Sequence, residues 1–367
     1  METKRIYYID GLKGLAALSV FSWHFTLSTG HIYMPMNELC NNPITKFLID
    51  GGLAVCMFIL LSGFSNSLSM AKKPITISNT KDTIVKRYLR IAVPIAPILI
   101  IIFLMRCLGL MQNYEFAEWA SWERATDCYN ASTMNYSLPF RLLKAILVSP
   151  LGDTTGVELP TWMLRYILLG SYIILMLHIL THDMKAKTEI GISVFVMFLG
   201  GYMLNLYYIP IIAGFLLFTL YPFMQKSKYK YIISIVSLAL AIAFYYFFPR
   251  LKFPLNGILT AIFLFITIIT NPYLQKLLSL GLFKELGRIS FMIYLVHMPI
   301  ICSFSHFLFM HLPIKNIDVL SLVVFIITTI VVIVVAYFAT VWIEEKWSKR
   351  IINISLKRIH QRNETNG

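Results

Sequence analysis

Asp10, Lys13 and His24 are three ionisable side chains inside IYYIDGLKGLAALSVFSWHF, a run otherwise apolar enough to cross a bilayer. Ionisable groups at membrane depth cost roughly 2.5–3.5 kcal/mol each even on lenient insertion scales, so a chain keeps them where they meet a partner, a cavity or a substrate. Lys13 and His24 stand eleven positions apart. That is close to three helical turns, which puts both on one face about 16 Å apart along the axis. Neutral imidazole takes a proton from a hydroxyl or passes one on, which suits general-base activation of an acceptor alcohol. Asp10 or Lys13 would then orient the base or tune the charge around it. The competing reading is a buried histidine satisfied by a neighbouring backbone carbonyl.

Three further constellations carry chemistry. His297 lies in LGRISFMIYLVHMPI, two positions before Pro299. Proline at that depth frees a backbone carbonyl and bends a helix, and a bend beside a buried imidazole suggests a cavity. In FILLSGFSNSLS, Ser62 and Gly63 are small residues that allow close helix approach. Arg87 and Arg90, in KRYLRIAVP, share a helical face just before Pro94. Guanidiniums at a membrane–cytosol boundary can hold phosphates through paired hydrogen bonds, although juxtamembrane arginine is also ordinary topology signal. The segment 112–160 contains Glu115, Glu118, Trp119, Trp122, Glu123 and Asp127. Aromatic rings beside carboxylates stack on sugar faces and accept hydroxyl hydrogen bonds; the alternative is an interfacial aromatic belt.

The elements that must position these residues are apolar helices. Hydrophobic residues make up 57% and charged residues 14% of the chain, and mean hydropathy is +0.70. A soluble domain carries about a quarter charged residues, so the expected class is an all-α polytopic membrane protein. Windows of about 20 apolar residues predict ten transmembrane helices around a polar pore, near 8–28, 49–70, 91–111, 161–181, 189–207, 209–224, 231–248, 255–271, 287–309 and 318–342. Most of the 32 Lys and Arg residues fall in alternate connections, with Lys4, Arg5 and the Lys346–Arg362 region on the same side. By the positive-inside rule both termini are then cytoplasmic. A single membrane domain over 1–345 and a basic tail over 346–367 are expected. The net charge of +14 needs no nucleic acid, because no predicted domain outside the membrane is large enough to bind one. The five cysteines show no metal-ligand spacing, so no metal is expected. Cys40 and Cys128 both fall in outer segments, where a disulfide is open to them in an oxidising compartment.

Taken in order, the blocks IDGLKGLAALSVFSWHF, MFILLSGF, KRYLRIAVP and ELGRISFMIYLVHMPI resemble the successive signatures of the acyltransferase-3 family of integral membrane acyltransferases, and VWIEEKW resembles its closing segment. The resemblance covers nearly the whole chain. It implies passage of an acyl group, usually acetyl, from cytoplasmic acyl-CoA to a hydroxyl on an envelope polysaccharide or glycolipid sugar, in a bacterial inner membrane. It ties His24 and Lys13 to acyl transfer, with Asp10 and His297 as further catalytic candidates. Arg87 and Arg90 match arginines of the CoA side, with Ser62 beside them. Trp162 and Glu158, together with Trp119 and Trp122, are the acceptor candidates. Lys13 stands where Arg is commoner in the family, keeping charge but losing the guanidinium fork. Ile167 stands five positions after Trp162, where many relatives carry a carboxylate. Either Glu158 or a loop carboxylate replaces it, or this branch does without. A proton-coupled transporter would use intramembrane His and Lys equally well, so acyl-CoA binding is the discriminating property.

Overall fold

The computed structural model describes residues 6–30, 42–72, 74–127, 129, 138–151, 161–248 and 254–365. Among these residues every regular element is helical. In chain order they are α1 (Tyr7–Thr29), α2 (Pro43–Leu48), α3 (Gly51–Met70), α4 (Ile77–Cys107), α5 (Asn113–Ala120), α6 (Leu138–Val148), α7 (Leu164–Thr181) and α8 (Ala186–Met203). They continue as α9 (Tyr208–Lys226), α10 (Lys230–Tyr246), α11 (Leu255–Thr270), α12 (Pro272–Leu278), α13 (Gly281–Ile300), α14 (His306–His311), α15 (Ile317–Ala339) and α16 (Lys349–Thr365). Glu158, Cys40 and Cys128 lie outside the described residues.

Among the described residues, six stretches are long and apolar enough to cross a membrane: Pro43–Met70, Ile77–Cys107, Thr161–Thr181, Tyr208–Lys226, Gly281–His311 and Ile317–Lys357. The pair α11–α12, bent by 97°, brings the number to as many as 7. The sequence windows predict ten, and the difference has physical causes. Asp10, Lys13, His24 and several hydroxyls dilute the apolar character of α1. Helices α10 and α11 have 17 and 16 residues, short of the about 20 that a straight span needs. The bend after α11 is chemically finished: the Asn271 side chain accepts from the N–H groups of Tyr273 and Leu274 at 3.0 and 3.3 Å. The Gln275 amide donates to the carbonyls of Ile269 and Ile268 at 2.8 and 3.2 Å, and the Gln225 amide also donates to Ile269. Backbone groups freed in an apolar setting must find such partners.

The chain divides into two compact units, Met1–Ala16 with Gly52–Arg87 and Arg165–Arg288, and Ala17–Gly51 with Tyr88–Leu164 and Ile289–Gly367. The divisions fall inside α1, α4 and α13 and just after the first residues of α3 and α7. In the first unit, glycines set the helix crossings. A Cβ on Gly14 would lie 2.6 Å from the Gly287 nitrogen, and one on Gly287 would strike the Asp10 carbonyl. Gly63 and Gly214 do the same for α3 and α9, where added Cβ atoms would strike the carbonyls of Ile211 and Leu60. Small residues at such points let backbones touch, as the reading of Ser62-Gly63 anticipates.

In the second unit, Phe21 of α1 stacks on Phe325 of α15 at 5.8 Å between centroids, and Phe25 meets Phe325 at 5.2 Å and Phe309 at 6.1 Å. Pro299 does not break its helix. The irregularity is absorbed as π-helix over Ile301–Ser305, the usual way a helix accommodates an extra residue near a missing N–H. The Cys302 carbonyl in that segment accepts the Gln112 N–H at 2.8 Å. A second π segment, Thr340–Ser348, joins α15 to the basic helix α16.

Candidate active site

Two polar clusters form, one in each unit, and α1 contributes a side chain to both. In the first unit the Lys13 ammonium donates to Ser65 Oγ on α3 at 3.0 Å. The Arg87 guanidinium of α4 donates to the Asn66 side-chain carbonyl. Both cations are thus oriented by adjacent neutral groups of α3. Ser62 itself turns inward on its own helix, its hydroxyl donating to the Phe58 carbonyl at 2.8 Å. Ser65 and Asn66, one turn further on, make the contacts with the cations instead. Asp10 is half-buried at the α1–α13 crossing. Arg90 is exposed, three positions beyond Arg87 on α4.

In the second unit His24 and His297 meet directly. His297 Nε2 lies 3.2 Å from His24 Nδ1, with ring centroids 5.0 Å apart. His297 is fully buried and His24 partly so. Backbone contacts determine which nitrogens carry protons. His297 Nδ1 is 3.1 Å from the Ile293 carbonyl, and a carbonyl only accepts, so Nδ1 holds the proton and Nε2 of the neutral ring is an acceptor. His24 Nδ1 is 2.9 Å from the Val20 carbonyl, so it too carries its proton and shares it between Val20 and His297. The chain of donors therefore ends with an unprotonated Nε2 on His24. The contacts at Nδ1 are those of a satisfied core histidine. One nitrogen is fixed by backbone and partner, and the other keeps its lone pair. The Tyr294 hydroxyl, buried and with no hydrogen-bond partner among the described residues, belongs to a ring 6.0 Å from His297.

The expected acceptor-side aromatics divide. Trp119 on α5 is 45% exposed and stands 5.8 Å from Phe116 and 6.4 Å from Phe309, leaving much of its surface open. The Trp122 indole N–H instead donates to the Leu27 carbonyl at 3.1 Å, one of the carbonyls that the end of α1 leaves without an intrahelical partner. Trp162 sits in the 3₁₀ turn Thr161–Met163 before α7, partly exposed. Sequence reading also missed a second pair: Ser28 Oγ lies 3.0 Å from His306 Nε2. Ser28 is one turn past His24 on the same face, a spacing that could have singled it out. Among the described residues no cluster of three or more His, Cys, Asp or Glu is arranged to hold a metal ion.

The apolar stretches of membrane-spanning length among the described residues mark an integral membrane protein. The chain belongs to the acyltransferase-3 family: residues 6–341, nearly its whole length, match the family model described as an acyltransferase domain. The protein is accordingly a membrane acyltransferase. No curated protein and no solved structure matches the chain.

Proposed function

We propose that the protein moves an acyl group, acetyl in the first instance, from cytoplasmic acyl-CoA to a hydroxyl of an envelope polysaccharide or glycolipid sugar. The observation that carries this reading is the unprotonated Nε2 of His24, held in that tautomer by Val20 and His297. His24 Nε2 takes the proton of the acceptor hydroxyl as its oxygen attacks the thioester carbonyl. Collapse of the tetrahedral intermediate breaks the carbon–sulfur bond, and the proton passes from His24 to the departing thiolate. His297 accepts from His24 Nδ1–H throughout and stabilises the transient imidazolium. On the donor side Lys13, Arg87 and Arg90 supply positive charge for the CoA phosphates, with Ser65 and Asn66 orienting the first two. Trp119 and Trp162, both partly exposed, would supply aromatic surface to a sugar.

The test is the O-acyl content of the envelope glycan by mass spectrometry, in cells with the gene, without it, and with His24→Ala. Loss of the acyl mark in both the deletion and the variant is expected. A folded His24→Ala protein that acylates the glycan at the wild-type rate would sink the assignment. A purified protein with no detectable acyl-CoA binding would favour a transporter.

A further inference from the structure

Ser28 and His306 make a pair that the reaction above does not use. His306 is fully buried, its ring stacked on Phe116 of α5 at 4.1 Å and 6°. Nε2 faces Ser28 Oγ at 3.0 Å. Nδ1 is buried with no hydrogen-bond partner among the described residues.

The hydroxyls around it bear on where the protons sit. Thr26 and Thr29, Ser28's neighbours on α1, donate to the carbonyls of Ser22 and Phe25, each at 2.8 Å. Such back-bonding is the ordinary fate of a helical hydroxyl. Ser28 does not follow it, and among the described residues its one hydrogen-bond contact is the His306 ring. Its hydroxyl hydrogen has no other acceptor there, so Ser28 donating to Nε2 leaves fewer polar groups unmet than the reverse arrangement, and the neutral ring then carries its proton on Nδ1. The result is a buried N–H on a ring stacked against Phe116, with no acceptor among the described residues. An unsatisfied buried donor is expensive, whereas an apolar pair of the same shape would be nearly free of penalty. Polar groups kept at such a cost mark function more often than packing.

We infer that His306 Nδ1–H is a preset donor for a neutral oxygen of the reacting substrates, received along the ring edge because Phe116 covers the face. The inference rests on the acyl-transfer reading. Ser28 is the positioning residue that holds the donor tautomer. Ser28 is also four positions from His24, so the two side chains leave α1 on the same face, one turn apart. The oxygen is either the thioester carbonyl, whose negative charge grows during attack, or a hydroxyl or ring oxygen of the acceptor sugar.

The experiment uses the full chain in lipid nanodiscs, with acetyl-CoA as donor and de-O-acylated envelope polysaccharide as acceptor. The double variant Ser28→Ala/His306→Phe removes both polar groups and keeps a ring against Phe116. Its melting temperature should equal or exceed that of wild type while transfer falls about five- to tenfold, the scale of one lost hydrogen bond. His306→Asn, which keeps an N–H donor near the Nδ1 position, should recover part of the loss. The source of the oxygen follows from a second readout. If it is the acyl carbonyl, acceptor-free acetyl-CoA hydrolysis falls in parallel. If it is the sugar, hydrolysis is unchanged and KM for the polysaccharide rises. Transfer by the double variant within about twofold of wild type, or a melting temperature that drops together with activity, overturns the inference. Wild-type protein that transfers nothing overturns the reaction itself and this inference with it, an outcome distinct from an active, unaffected double variant.

Discussion

Replacing His297 by leucine tests whether the two imidazoles act as one unit. In the resting state His24 Nδ1–H is shared between the Val20 carbonyl at 2.9 Å and His297 Nε2 at 3.2 Å. Removing His297 leaves the Val20 bond, so the tautomer of His24 survives and its Nε2 remains a base. What disappears is a neutral acceptor beside an imidazole that becomes cationic as it takes the hydroxyl proton. A hydrogen bond to a charged group contributes about 1.5–3 kcal/mol. At 1.36 kcal/mol per factor of ten, that is about a ten- to 150-fold loss. The charge exists only at and after the transition state, so the loss should fall on kcat and leave KM for both substrates nearly unchanged. His24→Ala removes the base itself and should cost on the order of 10²–10⁴ in rate. The double variant should then be no slower than His24→Ala, because His297 has nothing left to stabilise. The assay is CoA thiol release coupled to O-acyl product by mass spectrometry, on detergent-purified variants of matched melting temperature. Additive losses in the double variant, or a His297→Leu enzyme within about twofold of wild type, would refute the coupled pair.

Three other outcomes follow from the geometry. Gly287→Ala should lower the melting temperature, since its Cβ would strike the Asp10 backbone carbonyl, a contact no rotamer change relieves; overpacking of this kind costs about 1–3 kcal/mol, and an unchanged melting temperature would contradict the crossing. Arg87→Ala/Arg90→Ala should abolish the steep salt dependence of acyl-CoA binding along with most of the affinity, measured by isothermal titration at two ionic strengths; binding that is equally salt-sensitive without them would remove both from the donor site. Asn271→Ala exposes the N–H groups of Tyr273 and Leu274 at the bend and should cost about 1 kcal/mol, read as a shift in thermal unfolding.

The helical class and the membrane setting were legible because composition and apolar runs report them directly. The span count was less so, because a hydropathy window marks an apolar run without fixing its helix length: α10 and α11 have 17 and 16 residues, short of the about 20 that a straight span needs. The polar stripe was legible along α1, where helical spacing does the work. Its partners were not. Nothing in local periodicity says that Lys13 meets Ser65 and not Ser62, because the choice depends on how α1 rotates against α3. The His24–His297 contact joins residues 273 positions apart, and the signals for each histidine, the spacing from Lys13 and the neighbouring Pro299, are local to its own helix and say nothing of the other. His306 escaped notice altogether. It lies past Pro299 in a stretch where the proline drew the reading, and Ser28 looks like any helical hydroxyl until its missing back-bond is seen. Family membership supplied the reaction, which no spacing argument could have reached.

The Asp-Gly-Leu-Lys-Gly block owes its two kinds of residue to two faces of one helix turn. Gly11 and Gly14, three apart, point at the end of α12 and the start of α13: a Cβ on Gly11 would strike the Leu278 carbonyl, and one on Gly14 would lie 2.7 Å from the Leu286 carbonyl carbon. Lys13 leaves the opposite side of the turn and reaches Ser65 at 3.0 Å on α3. Backbone contact at the glycines therefore fixes how far α1 can rotate, and that rotation decides whether the ammonium meets Ser65. A long cationic side chain alone would be a mobile charge, since lysine carries about 2 kcal/mol of rotamer entropy. Seated against glycine on one face and hydrogen-bonded on the other, it becomes a positioned one. Packing and chemistry in this block are thus the same constraint, and a Gly11 or Gly14 substitution that still folds should lower the melting temperature and the donor side of the reaction together.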